Sequence, residues 1–427
     1  MDQEKRRIHQ FIREILEQKE EKFIPGKTVI TTGQAVYDHR EINAIIDSLL
    51  QGWFGLAGKG IEFENLFSKY VGNEYSILVN SGSSANLLAL NGMKELLGLQ
   101  GGEIITPACT FPATVNPIIQ LGFQPAFVDV DKTLNVTPEL ITPAINSSTR
   151  GIIFAHAMGN PARIDEIMDI ARRHDLFVIE DCCAALGSRY DEKLCGTFGI
   201  ASTYSFYPSH GITLGEGGAV ATNNHELNRI IRSLRDWGRD CICRTDQQSI
   251  DGECGKRFEY QMGETLYDHR YVYSQIGYNL KPLELQAAMG IEQLKKLDEF
   301  NAVRKRNFAL YKEGLSPFDK FIALPEVYEK SEPVFFGLPI IIKHESVDRR
   351  ELITFLNRNK VATRLYFAGN IVKQPAYKNI DYAVYGELSY TDKIFRDCFW
   401  IGLHQGVAGQ MIEYVISVFE KYFKKLS

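Results

Sequence analysis

From about residue 72 onward the chain repeats one pattern: a short apolar run, a turn, then a longer stretch with helical spacing. The runs fall at 76–80, 102–106, 125–130, 151–154, 176–181, 201–206 and 218–222, and several are continuously apolar rather than alternating. A strand that is apolar on both faces must be covered on both faces, as crossover helices cover parallel strands. The pattern therefore predicts an α/β protein built on a mostly parallel, seven-stranded sheet.

At 427 residues, 44% hydrophobic and 24% charged, the chain is long enough for one large domain and a smaller one. Residues 1–30 read as a helical arm, with Ile8, Phe11, Ile12, Ile15 and Leu16 on one stripe and Pro25-Gly26 as its stop. Residues 31–290 read as the large domain. After Asn279-Leu-Lys-Pro282, residues 291–427 carry their own strand signal at 334–342 and a helix at 408–424, and read as a smaller C-terminal α+β domain. The formal net charge of −5, with basic residues scattered among acidic ones, gives no nucleic-acid groove and no membrane-binding patch. The charged start and the lack of an 18-residue apolar run point to the cytoplasm.

Three segments carry chemistry. The run at 77–80 leads into Ser81-Gly82-Ser83-Ser84-Ala-Asn86 and a helix, which sets free backbone N–H groups and hydroxyls at a helix N-terminus; this suits a phosphate, and serves equally as an ordinary cap. Ile179-Glu-Asp181 ends an apolar strand with a carboxylate at its C-terminal end, where open α/β sheets bind ligands. Such an Asp can hold a pyridinium N–H or cap a helix. Phe111, in Cys109-Thr-Phe-Pro-Ala-Thr114, can stack on a flat ring or fill the core.

The order of these motifs, followed by Ser205-Phe-Tyr-Pro-Ser-His210-Gly-Ile-Thr-Leu-Gly-Glu-Gly-Gly218 and Gly277-Tyr-Asn-Leu-Lys-Pro282, resembles the sugar aminotransferase and dehydrase family of fold-type I pyridoxal phosphate enzymes. The similarity runs from Gly55 to about Gly402 and is greatest to the iron–sulfur NDP-4-keto-6-deoxyhexose 3-dehydrases. The resemblance implies that Gly82, Ser83, Ser84 and Ser205 hold the cofactor phosphate, that Phe111 stacks on the pyridine and that Asp181 binds its nitrogen. It also implies that Asn279 reaches the phosphate of a second subunit, which requires a homodimer with shared active sites. Phe336 and Arg364 are then candidates for substrate contact.

At the family's lysine position this chain has His210. A histidine cannot form a Schiff base with pyridoxal but is a good acid–base group near neutrality, so ordinary transamination is closed. Lys193, Lys256 and Lys281 fall at the wrong places in the motif order. The implied reaction is C3 dehydration of a nucleotide-linked 4-keto-6-deoxyhexose through pyridoxamine 5'-phosphate, with His210 as base. Tyr207, three residues earlier, reads as a proton or radical neighbour or as a packed aromatic.

Eight cysteines in a chain of this class are not a disulfide framework. Cys183, Cys241, Cys243 and Cys254 are separated by 57, one and ten residues. Four thiolates suit a [2Fe–2S] cluster, and a Cys-x-Cys pair also suits zinc. The resemblance favours the cluster, fed by a reductase or ferredoxin, in the loop 241–254. Cys182 and Cys195 are alternative ligands, while Cys109 and Cys398 read as structural. Two departures from the dehydrase pattern, Ala184 where an aspartate is usual and Gly211 where a second histidine is frequent, mark a divergent member. Two other readings stay open: a non-redox dehydratase whose imine hydrolyses, and a non-catalytic metal-binding scaffold on the same fold.

Overall fold

The computed structural model describes residues 2–18, 22–241, 243 and 257–426. The main sheet contains β1 (Tyr75–Val79), β2 (Glu103–Pro107), β3 (Gln124–Val128), β4 (Thr149–Ala155), β5 (Phe177–Asp181), β6 (Ala201–Ser205) and β7 (Gly218–Thr222). Their spatial order is β1-β7-β6-β5-β4-β2-β3, with β7 antiparallel to both neighbours and the remaining pairs parallel. The sheet is eight-stranded rather than seven-stranded, because Ala383–Val384 pairs with β3. Two residues make no apolar run that a sequence reading detects, but they cover an edge that would otherwise present unpaired backbone.

Helices close both faces of the sheet. The helix Gly82–Leu97 starts on the Ser81 hydroxyl, which accepts the Ser84 N–H at 3.1 Å, and stops at Gly98 in the left-handed conformation. Its residues Leu88, Ala89 and Met93 pack on Ile77, Ile179 and Val220 from the sheet. On the opposite face Ile164, Ile167 and Ala171 of the helix Ile164–Arg173 pack on Ile152, Phe154 and Val178.

A second sheet of four antiparallel strands has the order Ile322–Ala323, Leu338–Ile342, Cys398–Ile401, Thr363–Leu365. Its core is formed with the helices Leu297–Leu315, Arg349–Arg358 and Gly409–Phe423, through residues such as Phe335, Leu352, Phe399 and Phe419. The N-terminal helix Asp2–Glu17 is held to the helix His39–Leu50 by Lys5 and His9, both on Asp47, while Ile8 and Phe11 of its apolar stripe stay exposed. Among the described residues no helix is long and apolar enough to cross a membrane.

One buried polar strut fixes the centre of the main sheet. Side chains alternate along β5, so Asp181 points to one side and Glu180 to the other. Glu180 is fully buried and accepts the backbone N–H groups of Gly196, Phe198 and Gly199 at 2.8, 2.9 and 2.7 Å, and the His156 ring at 3.0 Å. Glu180→Ala leaves those donors without an acceptor and is expected to cost about 3–5 kcal/mol. The check is the urea unfolding midpoint; a loss below about 1 kcal/mol contradicts the assignment.

Candidate active site

The carboxyl ends of five strands open on one cavity of about 570 Å³. Ala155 from β4, Asp181 from β5, Ser205 from β6, the Ser81–Ser83 turn after β1 and Phe111 after β2 all line it, as ligand sites of open α/β sheets do. Tyr207, Ser209 and His210 line it beyond β6, as do Arg364, Leu365 and Trp400 from the smaller sheet and Phe336 from the connector before Leu338–Ile342. No lysine lines the cavity among the described residues.

The turn at Gly82 is closely packed. A Cβ there would lie 2.7 Å from the Ser205 Cβ and 3.0 Å from the Cys183 Sγ, and one on Gly218 would meet the Ser81 carbonyl carbon and oxygen at 2.4 Å. Glycine at both positions lets β1, β6 and β7 converge, and the first-turn N–H groups of the helix then face the cavity. Ser83 is exposed there, whereas the Ser84 hydroxyl donates to Asn80 Oδ1 at 2.6 Å and does not line the cavity.

The Asp181 carboxylate is 4% exposed and held from three directions. Asn86 Nδ2 and Thr114 Oγ1 donate to Oδ2 at 2.9 and 2.8 Å, and the Cys183 N–H donates to Oδ1 at 3.0 Å. Asn86 is itself fixed by a hydrogen bond from Thr203 Oγ1. Phe111 is half exposed into the cavity, edge-on to Phe367 at 6.4 Å. Met158 and Phe367, both in the cavity wall, have φ of +51° and +43°, and such strain in non-glycine residues concentrates at functional sites.

His210 Nδ1 lies 2.6 Å from the Cys183 carbonyl oxygen, which can only accept, so Nδ1 carries the proton and Nε2 keeps its lone pair. The ring packs on Phe336 with centroids 4.8 Å apart and stands 6.4 Å from Tyr207. Burial, aided by the Arg304 charge, pushes His210 from 6.5 down to about 4, so the imidazole is neutral around pH 7.

Two groups of expected site residues lie wholly or partly outside this cavity. Asn279 is exposed, outside the lining of its own chain's cavity and bridged to Asp236. Of the four proposed cluster cysteines, Cys183 lines the cavity, Cys241 and Cys243 do not, and Cys254 lies outside the described residues. Among the described residues, the only three ligating side chains whose donor atoms lie within 4.8 Å of one another are His156, Glu180 and Cys182. Cys109 and Cys398 are buried in one apolar cluster. Sequence reasoning missed Asn86, Thr114 and Trp400. The first two stand in quoted motifs, but their aim at Asp181 is a tertiary contact.

The residues present fit a vitamin B6 phosphate: a glycine-narrowed N–H turn, an oriented buried carboxylate, and an aromatic ring in the same lining. Known proteins agree. A model of the DegT/DnrJ/EryC1/StrS aminotransferase family matches residues 36–420. The chain is 44% identical over 425 residues to the lipopolysaccharide biosynthesis protein RfbH of Salmonella typhimurium, covering 97% of this chain and 96% of that one. It is 42% identical over 421 residues to a dTDP-4-dehydro-2,6-dideoxy-D-glucose 3-dehydratase of Saccharopolyspora spinosa, covering 96% and 90%. The solved structure of E. coli GDP-4-keto-6-deoxy-D-mannose-3-dehydratase with bound hydrated PLP superposes with a TM-score of 0.83 at 29% identity, covering 92% of this chain and 99% of that one.

Burial of neutral histidines has a pH consequence. His210 and His404 are both pushed down to about 4, first by burial, so on lowering the pH through 6.5 the unfolded chain binds protons that the folded one refuses. Stability is expected to fall between about pH 6.5 and 4. His210→Asn and His404→Gln should each remove up to about one proton from that slope, read from urea midpoints across pH. An unchanged slope in both variants contradicts the assignment.

Proposed function

The chain belongs to the DegT/DnrJ/EryC1/StrS aminotransferase family and has its fold-type I aminotransferase-like architecture, and from that premise we propose that it removes the C3 hydroxyl of a nucleotide-linked 4-keto-6-deoxyhexose. The observation that carries this reading is His210: an imidazole with a free Nε2 stands where a lysine amine is expected, in a cavity whose described lining holds no lysine. Family membership supports a vitamin B6 phosphate as cofactor, and the names of the relatives support a nucleotide sugar as substrate.

Such a cofactor, in its amine form, supplies a group that condenses with a ketone and a ring that takes up electron density. The chain's own part is to hold and to move protons. Gly82, Ser83 and Ser205 offer N–H and hydroxyl donors to the phosphate, and Ser84 stiffens their turn. Asp181 keeps the ring nitrogen protonated, its carboxylate already aimed by Asn86 and Thr114, and Phe111 covers one face. His210 Nε2 accepts the proton released next to the ring and returns it to the departing hydroxyl, with Tyr207 as the neighbouring hydroxyl. Phe336, Trp400 and Arg364 bound the sugar side, and Arg364 supplies a positive charge for an anionic nucleotide. The protein works in the cytoplasm as a homodimer, in which exposed Asn279 completes the partner's phosphate site. The exposed apolar side chains of Trp53, Phe54, Ile276 and Leu283 support such an interface.

The reductive form of this reading adds a [2Fe–2S] cluster on Cys183, Cys241, Cys243 and Cys254, which would receive electrons one at a time from a reductase or ferredoxin. Its support is the spacing of the four cysteines and the place of Cys183 in the cavity wall. The hydrolytic form needs no iron, and its support is that Cys183, Cys241 and Cys243 are not gathered as one ligand group.

The test supplies anaerobically purified protein with excess pyridoxamine 5'-phosphate and CDP-, dTDP- and GDP-linked 4-keto-6-deoxyhexoses, with and without a reduced ferredoxin, and follows loss of the C3 oxygen by mass spectrometry. Turnover is expected with at least one sugar, and His210→Asn should lower it on the order of 10²–10⁴-fold. Transamination without loss of oxygen contradicts the reading. In the reductive form, iron and sulfide co-purify and serine at Cys183, Cys241, Cys243 or Cys254 bleaches the chromophore, whereas Cys109→Ser and Cys398→Ser leave it. Iron-free protein that still dehydrates leaves the hydrolytic form.

A further inference from the structure

Arg304 projects from the helix Leu297–Leu315 into the interior and is 1% exposed. No carboxylate pairs with it among the described residues. Its five N–H donors instead meet neutral acceptors: Nε donates to Gln405 Oε1 at 3.0 Å, Nη1 to the carbonyls of Phe335 at 3.2 Å and Phe336 at 2.9 Å, and Nη2 to those of His210 at 3.1 Å and Ser209 at 3.5 Å. Burying a guanidinium without a counter-ion is costly, and an apolar side chain of similar volume is commonly as stable or more so. What the arginine adds is geometry. Its planar fork fixes both distance and orientation between the groups it joins.

The four carbonyls belong to two segments far apart in the chain. One is the turn after β6 that carries His210, closed by the His210 N–H on the Tyr207 carbonyl at 2.9 Å; the other is the connector before Leu338–Ile342 that carries Phe336. The imidazole and the Phe336 ring lie face to face, tilted by 35°. Arg304 itself does not line the cavity, so it acts through the residues it grips.

We propose that Arg304 is a positioning residue of this site: by gripping Ser209 and His210 on one side and Phe335 and Phe336 on the other, it holds the base and the ring that faces it in one arrangement. This rests on the reading of His210 as the base. Arg304→Lys keeps the charge, but a single ammonium cannot serve both pairs of carbonyls. The expected result is a fall in kcat on the order of 10²-fold with KM and pyridoxamine phosphate affinity within about twofold. Hydrogen–deuterium exchange should rise in peptides spanning 205–212 and 333–338 and stay unchanged in the helix Gly82–Leu97. Wild-type kcat in folded Arg304→Lys overturns the proposal, as does a loss matched by equal loss of cofactor binding or a rise in exchange throughout the chain. If the wild type does not dehydrate any of the sugars, the functional reading fails, while the exchange pattern alone still decides the clamp. Should Arg304→Lys not fold, Gln405→Leu withdraws only the Nε acceptor. The same local exchange pattern and a severalfold lower kcat are then expected, and no change in either overturns the proposal.

Discussion

The alternation of side chains at the end of one central strand governs both the stability and the chemistry of this protein. Glu180 and Asp181 are adjacent carboxylates of β5 that leave the sheet in opposite directions. Glu180 ends in a pocket of backbone donors and a histidine, where it ties the 196–199 turn to the sheet. Asp181 ends in the cavity, where Asn86, Thr114 and the Cys183 N–H set its direction. A slip of one residue would exchange the two environments and destroy both. The position of the functional carboxylate is therefore inherited from the position of the structural one.

The same strand end controls His210. The Cys183 N–H holds Asp181, and the Cys183 carbonyl accepts the imidazole Nδ1 proton, so the backbone of one residue orients both the carboxylate and the imidazole of the cavity. His210 is neutral because burial disfavours its charged form. In place of a lysine, which would capture the cofactor, the site presents a group that exchanges protons only.

The strands were legible because parallel strands covered on both faces must be nearly continuous in apolar residues, and all seven runs became strands of one sheet. The eighth, Ala383–Val384, was not legible, since two residues carry no periodicity and their partner β3 lies far back in the chain. Within the cavity, the order of motifs brought Gly82, Ser83, Phe111, Asp181, Ser205, Tyr207, His210, Phe336 and Arg364 to one lining. Ser84 and Asn279 fall outside that lining, the one with its hydroxyl turned to the Asn80 side chain and the other exposed. Asn86, Thr114 and Arg304 carried no signal of their own, because an amide, a hydroxyl and a helical arginine become informative only when folding aims them at a buried partner. The cysteine spacing is legible as a pattern, but Cys254 lies outside the described residues, and the described ligating side chains that gather are His156, Glu180 and the single thiol Cys182.

The central claim is that an intact vitamin B6 cradle surrounds a base unable to bond to the cofactor. It is tested most directly by adding pyridoxal phosphate, reducing with borohydride and weighing the protein. The wild type is expected to bind the cofactor saturably yet gain no covalent mass, while His210→Lys gains one pyridoxyl phosphate group per chain at position 210. A covalent adduct on any lysine of the wild type, or saturable binding without an adduct in His210→Lys, contradicts the account.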